Sequence, residues 1–408
     1  HIFIFTFTRF LLLFCSISLL RGASAVDFTF TETDITNTAD CYFIQSIDVD
    51  GDGDLDIVSA NDLDTQFAWY ENDGAAAFTA HVMAAGGDPP QIYAIDLDGD
   101  GDIDIVVPTL SGNIFWFEND GSQGFTSNTV SATNGNWAVF AVDMDGDGDI
   151  DIIAGSVTDV YWYENDGSQG FTSHTVGSGN SIAIRGVDLD QDADMDIVVA
   201  ARSAGEIIYF ENDGAMGFTR SVLSSDFSGP YDLEVVDLDE DGDLDIVVAS
   251  QNDNRVGWLK NDGSAVFTFI SINTAYASCR AVSVVDFDAD GDLDIVVTSY
   301  NAVAWLENDG SEAFTAHTIS TTPNGGRGGD VGDFNADGIM DSASSASIGN
   351  TITWYETGYA PTGQPTGQPT CVPTGQPSRP TFAPTGQPTC VPTGQPTGQP
   401  SCVGTHVG

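Results

Sequence analysis

Positive charge is what this chain has least of: lysine occurs once in 408 residues, and Lys and Arg together number ten against 61 Asp and Glu. A formal net charge of −51 at pH 7 excludes nucleic acid and the anionic face of a membrane as expected partners, since both need basic patches. Helical periodicity is almost missing, and short apolar runs recur instead, which points to an all-β body. After residue 20 no apolar run approaches bilayer length, so membrane insertion is not expected. The five histidines form no set, with cysteine or serine, that departs from the repeats described below, as a catalytic constellation would. His81, His174 and His317 each stand three residues after the Phe of an outer strand, a structural recurrence. No Asn-x-Ser/Thr sequon occurs.

Residues 10–20 are apolar, preceded by Arg9 and followed by Ala23-Ser24-Ala25, the small-x-small pattern of a signal-peptidase site. Residues 1–25 are therefore expected to be a secretory leader, and eleven apolar residues are too few for a membrane anchor. Opening on His1 rather than Met, the sequence reads as starting inside a longer one. Residues 26–359 form the expected folded body. From residue 360 onward, Pro-Thr-Gly-Gln-Pro units predict an extended, partly polyproline stalk that buries no core. Secretion implies an oxidising compartment, yet Cys41, Cys279, Cys371, Cys390 and Cys402 are an odd number. Cys41 and Cys279 both sit seven residues before a repeated motif but in copies one and six, so no bond between them is expected.

That motif is an aspartate ladder between β-like apolar runs. It begins at Asp48, Asp96, Asp143, Asp188, Asp237, Asp286 and Asp333, at spacings of 48, 47, 45, 49, 49 and 47 residues. Even spacing of this size marks a repeat architecture. The ladders hold 33 aspartates among the chain's 61 acidic residues, so over half the negative charge is packed into short loops. Around each ladder the unit reads as an apolar strand, the ladder, a second strand, then a third ending in aromatic residues and an Asn-Asp-Gly turn, as at Tyr209-Phe210-Glu211-Asn212-Asp213-Gly214. Asp-Gly between apolar strands is a strong hairpin signal, because Gly supplies positive φ. A fourth strand starts at Phe-Thr: Phe78, Phe125, Phe171, Phe218, Phe267, Phe314. The last unit lacks this strand, while Phe28-Thr29 stands alone before the first. Seven four-stranded antiparallel blades follow, with the N-terminal strand closing the last and removing exposed sheet edges.

Within a ladder, positions 1, 3, 5 and 9 carry Asp, or Asn at Asn335. Alternating carboxylates in a tight loop suit a hard cation of flexible coordination, hence Ca²⁺ rather than Mg²⁺. The candidate ligands are Asp48, Asp50, Asp52 and Asp56; Asp96, Asp98, Asp100 and Asp104; Asp143, Asp145, Asp147 and Asp151; Asp188, Asp190, Asp192 and Asp196. The later copies add Asp237, Asp239, Asp241 and Asp245; Asp286, Asp288, Asp290 and Asp294; and Asp333, Asn335, Asp337 and Asp341. The backbone carbonyl of position 7 is expected to join them, from Asp54, Asp102, Asp149, Asp194, Asp243, Asp292 and Ile339. Up to seven ions are expected, with the Asp188 site weakest because Ala193 replaces a turn glycine. Lys260, in place of a turn Glu, reads as a surface change.

The motif Asp-x-[Asp/Asn]-x-Asp-Gly-x-x-Asp in a β repeat of this length resembles the FG-GAP/VCBS family over residues 26–359, though the literal Phe-Gly and Gly-Ala-Pro signatures are missing. The resemblance implies a seven-bladed β-propeller like the head of integrin α subunits. It also implies side-chain Ca²⁺ ligands at positions 1, 3, 5 and 9 of every copy.

Ladders and Asp-Gly turns should share one end of the ring, leaving the variable connections at the other, where recognition is expected. Six residues before each ladder stand Tyr42, Pro90, Trp137, Ile182, Tyr231, Arg280 and Arg327. Tyr42, Trp137, Tyr231, Arg280 and Arg327 are the candidate rim for a glycan or an acidic side chain, by stacking and bidentate hydrogen bonds. The expected function is that of a secreted, non-catalytic adhesion or recognition module for an extracellular protein or glycan. The alternative is an extracellular polysaccharide lyase or hydrolase.

Overall fold

The computed structural model describes residues 28–36, 41–61, 65–74, 77–132, 136–264, 266–273 and 275–359. The expected leader and Pro-rich tail lie outside the described residues. Among these there are twenty-eight β-strands, numbered here in chain order, and no helix long and apolar enough to cross a membrane.

The strands form seven antiparallel four-stranded sheets. The first blade shows the pattern: β2 (Cys41–Ile47), β3 (Asp56–Asn61), β4 (Gln66–Asn72) and β5 (Phe78–Ala84), hydrogen-bonded in that order. β2 and its equivalents line the axis and contact one another from blade to blade. β3 is buried along its whole length, which is why its sequence is a continuous run rather than an alternation. β5 alternates between exposed and half-buried positions, as an outermost strand must. Six of the outer strands begin at the Phe of each Phe-Thr pair, and β1 (Phe28–Thr36) begins at Phe28.

β1 pairs with β28 (Thr351–Tyr359) from Phe28↔Tyr359 onward, completing a sheet ordered β1-β28-β27-β26, with β26 at Gly326–Gly332 and β27 at Asp341–Ala346. The ring is thus closed by the chain's own N-terminal strand, and a seven-bladed all-β propeller results. Seven apolar clusters fill the seven gaps between blades. The recurrent Trp69, Trp116, Trp162, Trp258, Trp305 and Trp354 are all buried in these gaps. The seam blade is the least apolar, since β27 buries Ser342 and Ser345 where β3 has Ile57 and Ala60. Cys41 and Cys279 are both buried.

Antiparallel order places each ladder and each Asn-Asp-Gly turn at one face of the ring. The connections between second and third strands, and between blades, lie at the opposite face.

Candidate functional site

Each ladder is a loop whose own carboxylates shape it. The position-1 carboxylate accepts the amide N–H of position 6 in all seven copies, at 2.8 to 3.1 Å. The position-5 carboxylate accepts that of position 7, at 2.9 to 3.1 Å. These contacts wind the chain so tightly that positions 4 and 6 both have positive φ. Gly53 lies at 100°, Ala193 at 79° and Gln191 at 62°. Sequence reading anticipated the strain at Ala193 but not the second left-handed position, where Gln191, Glu240, Ala289 and Ala336 stand in the later copies.

The position-9 Asp is fully buried and works in two directions. One oxygen of Asp56 accepts the Val49 amide at 2.9 Å, and the other accepts that of Asn72 at 2.8 Å, so the start of the ladder is pinned to the third strand. Trp162 and Trp354 add an indole N–H to Asp151 and Asp341, both at 3.0 Å, and Tyr209 a hydroxyl to Asp196 at 2.8 Å. Burial pushes these carboxyls up from 3.8 to about 6, as at Asp56 and Asp151, and to about 7 at Asp294 and Asp341. Desolvation and neighbouring carboxylates likewise raise Asp50, Asp98, Asp145 and Asp190.

Carboxylate oxygens of positions 1, 3 and 9 lie within 4.8 Å of one another in the sets Asp48/Asp50/Asp56, Asp96/Asp98/Asp104, Asp143/Asp145/Asp151, Asp188/Asp190/Asp196 and Asp237/Asp239/Asp245. The position-5 carboxylate is outside these sets. Three oxygen-only donors this close, the position-9 one buried, fit a hard divalent cation, and the positive charge it brings would offset their repulsion. The fifth ladder already has a cation nearby: the Lys260 ammonium pairs with Asp239 and, at 2.6 Å, with Glu312 of the next blade. Both carboxylates hold the Lys260 pKa above its ordinary value. Lys260 is therefore a partner of the ladder and not the surface change its sequence suggested, because the turn Glu positions face ladder position 3.

Position 7 also does more than the backbone role expected of it. A Cβ on the turn glycine Gly310 would come within 2.6 Å of the Asp292 carboxylate, and Gly74 and Gly121 face Asp54 and Asp102 in the same way. Ile339 replaces this Asp in the one copy whose third strand, β28, runs on to Tyr359 without such a turn. The turn Asn ties blades together: Asn72 Nδ2 donates to Leu55 O at 3.0 Å and to Phe334 O of the seam blade at 2.7 Å.

At the opposite face the structure brings the seven residues standing six before the ladders, Pro90 and Ile182 included, around a single open bowl. A β-bulge aims them there. In β2 the register jumps from Cys41↔Asn61 to Phe43↔Ala60, leaving Tyr42 as the extra residue. Trp137, Ile182, Tyr231 and Arg280 are skipped in the same way, and Arg327 lies in a longer shift. An unpaired bulge residue is released from the alternation of the strand and turns toward the axis. The second blade differs because Pro89 and Pro90 occupy the positions that open the other inner strands, so its inner strand β6 is only Tyr93–Ile95.

Arg327 donates to Tyr231 Oη at 3.2 Å and to Ser347 Oγ at 3.1 Å, with its Cζ 3.7 Å from the Tyr42 ring centroid. Arg280 is 9 % exposed and donates through Nη1 to Gly326 O at 3.0 Å. Sequence reading missed Arg202, whose Cζ lies 5.2 Å from the Tyr231 centroid, because it stands on a connection outside the repeated frame. Asp232, deeper in the bowl, accepts amide N–H groups from Leu233 and Val282 and faces Arg185.

The sequence profile of the FG-GAP-like repeat matches residues 48–107, 109–154, 143–199, 188–248, 237–297 and 286–344. Among solved structures the chain is similar to an Agrocybe aegerita lectin described as recognising non-reducing terminal N-acetylglucosamine. That likeness has a TM-score of 0.52 and 18% identity, over 75% of this chain and 86% of the lectin. It is also similar to BBS1N in complex with ARL6DN, with a TM-score of 0.61 and 12% identity, over 83% of this chain and 99% of that one. At such identities the likeness is one of fold. Among curated proteins no sequence matches.

Proposed function

The chain belongs to the FG-GAP-like repeat family, and from that premise we propose that it is a calcium-stiffened, non-catalytic module recognising an extracellular protein or glycan at the face opposite its ladders. The observation that carries this reading is the convergence of one side chain from each blade on a single bowl, six of them at register shifts of the inner strand. Three further features support it. The ladder face is nearly uniform in sequence, the connections at the bowl are variable, and Trp137 is the one tryptophan outside the buried third-strand position. The oxygen clusters support Ca²⁺ at the ladders, where bound ions would fix blade geometry without facing the bowl. The leader-like segment ending at Ala25 supports an extracellular location.

A polysaccharide lyase is the second reading, favoured by the Tyr231 hydroxyl held beside the Arg327 guanidinium. Binding of the full chain to an extracellular-matrix glycan and protein panel, compared with Trp137→Ala, tests the first. Unchanged binding by that variant would refute the rim. Appearance of unsaturated sugar ends on incubation would favour the lyase.

A further inference from the structure

Six arginines lie among the described residues, and they divide into two kinds. Arg185, Arg220 and Arg255 each pair with a carboxylate: Glu234 at 2.9 Å, Glu206 at 3.0 Å and Asp253 at 2.7 Å. Arg202, Arg280 and Arg327 form no ion pair among the described residues, although the chain carries 61 acidic side chains against ten basic. Arg280 and Arg327 line the bowl, and Arg202 stands beside them against the lining residue Tyr231, donating to Gln251 Oε1 at 2.6 Å. Arg202 and Arg280 lie over the Tyr231 ring, Arg280 also 5.4 Å from that of Tyr300, and Arg327 is bonded to the Tyr231 hydroxyl. Arg280 Nε is buried with no hydrogen-bond partner among the described residues. Burial and the nearby Arg327 and Arg202 hold Arg280 below its ordinary pKa. Like charges brought together and partly dehydrated repel, and without a counter-charge the arrangement is costly. The nearest carboxylate lining the bowl, Asp232, is already engaged by two backbone amides and Arg185. Pro90, Trp137 and Ile182 make the other side of the bowl apolar.

We infer that the bowl binds an anionic saccharide, its sugar face on Trp137 and its carboxylate or sulfate group on Arg202, Arg280 and Arg327. This rests on the recognition reading above and names the ligand class. Guanidinium forks match planar carboxylates and sulfate oxygens, and an apolar indole face suits the C–H side of a pyranose ring. An acidic peptide would use the arginines but leave the apolar half unfilled.

Calorimetric titration of the full chain in Ca²⁺ tests it, with oligogalacturonate, a sulfated galactan oligosaccharide, its desulfated counterpart and poly-glutamate as probes. Binding of either charged saccharide and not the neutral one is expected, and which of the two binds distinguishes carboxylate from sulfate. Arg327→Gln and Arg202→Gln should each weaken it about tenfold or more, the worth of one charge-assisted hydrogen bond, with the thermal midpoint unchanged. Arg280→Gln is avoided as the main test because burial makes misfolding a confounder. Equal binding of the neutral saccharide, tighter binding of poly-glutamate, or no binding of either anionic saccharide overturns the inference. If a neutral saccharide binds and depends on Trp137 while the arginine variants are silent, the recognition reading survives and the anionic one falls. If Trp137→Ala and the arginine variants are all silent toward a saccharide that binds, both fall.

Discussion

A side chain at ladder position 6 meets no steric obstacle, since a Cβ on Gly53, Gly101 or Gly148 would have nothing within 4 Å. What Ala193 brings at φ 79° is backbone strain alone, and Gln191 beside it adds a second left-handed residue to the same loop. Left-handed backbone costs an L-residue about 1–2 kcal/mol, so Ala193→Gly is expected to stabilise the protein by about 1 kcal/mol. The thermal midpoint in Ca²⁺ should rise slightly, and a fall would show that the fourth loop is not strained. Lys260 calls for the opposite treatment. Its ammonium competes with a metal for Asp239, so the fifth site should bind Ca²⁺ more weakly than the others, and Lys260→Glu should restore it. Calorimetric stoichiometry should then increase by about one ion. An unchanged stoichiometry would mean the ammonium and the ion do not compete. The strain at Ala193 was legible in the sequence because a turn position demands glycine whatever surrounds it. The role of Lys260 was not, because a repeat alignment gives no distance between a turn and a ladder.

At the scale of the strand and loop, the position-9 carboxylate is where local structure and metal chemistry meet. It is buried by the fold itself, and its folded pKa of about 6 to 7 lies above the unfolded value near 3.8. A raised folded pKa contributes stability that is fully present below the unfolded value and is lost as pH rises through the folded one. With metal chelated, the thermal midpoint should therefore climb as pH falls from about 7.5 toward 5. In excess Ca²⁺ the dependence should be reversed or flattened, because the ion binds the ionised form and protons compete with it. Identical pH profiles with and without Ca²⁺ would argue that these carboxylates are not ligands. Position 9 was recognisable from its invariance along the chain. Its second duty, accepting the amide of the turn Asn fourteen to sixteen residues later, appears only when the strands are paired. The bulges were invisible for a similar reason. The residue they expel is Tyr, Trp, Ile or Arg in different blades, so the position has no shared chemistry to betray it. Its fixed offset from the ladder was the one trace.

For the whole molecule, blade number and closure were readable because the two chain ends complement each other, one strand spare at the start and one missing at the end. Metal sites distributed around such a ring should act together: each saturated at ~100 times its dissociation constant adds up to ~2.7 kcal/mol, so chelation should lower the midpoint of the full chain by many degrees. The seam is where the ring should fail first. β27 is serine-rich and β26 glycine-rich, so the last gap depends on what β1 supplies. Phe28 packs edge-on against Trp305 of the sixth blade at 5.4 Å and stacks on Tyr359 at 5.7 Å, while Phe30 joins the same cluster. Beyond the sheet, Glu32 accepts hydrogen bonds from Ser320 and Thr322, and Asp34 from Thr353. Deleting residues 28–36 would remove these aromatics from the least apolar gap and leave β28 an unpaired edge. The deletion variant is expected to unfold at lower temperature than the intact chain and to self-associate through that edge, as read by light scattering. A synthetic peptide of residues 28–36 should reverse both effects by re-adding the strand. The order of severity matters as well. Phe28→Ala keeps the strand and loses only packing, so it should cost about 2–3 kcal/mol of stability and lower the midpoint accordingly, yet leave the protein monomeric. If the deletion variant stayed monomeric and as stable as the intact chain, closure by β1 would be ornamental, and the seven interblade cores would have to hold the ring without it.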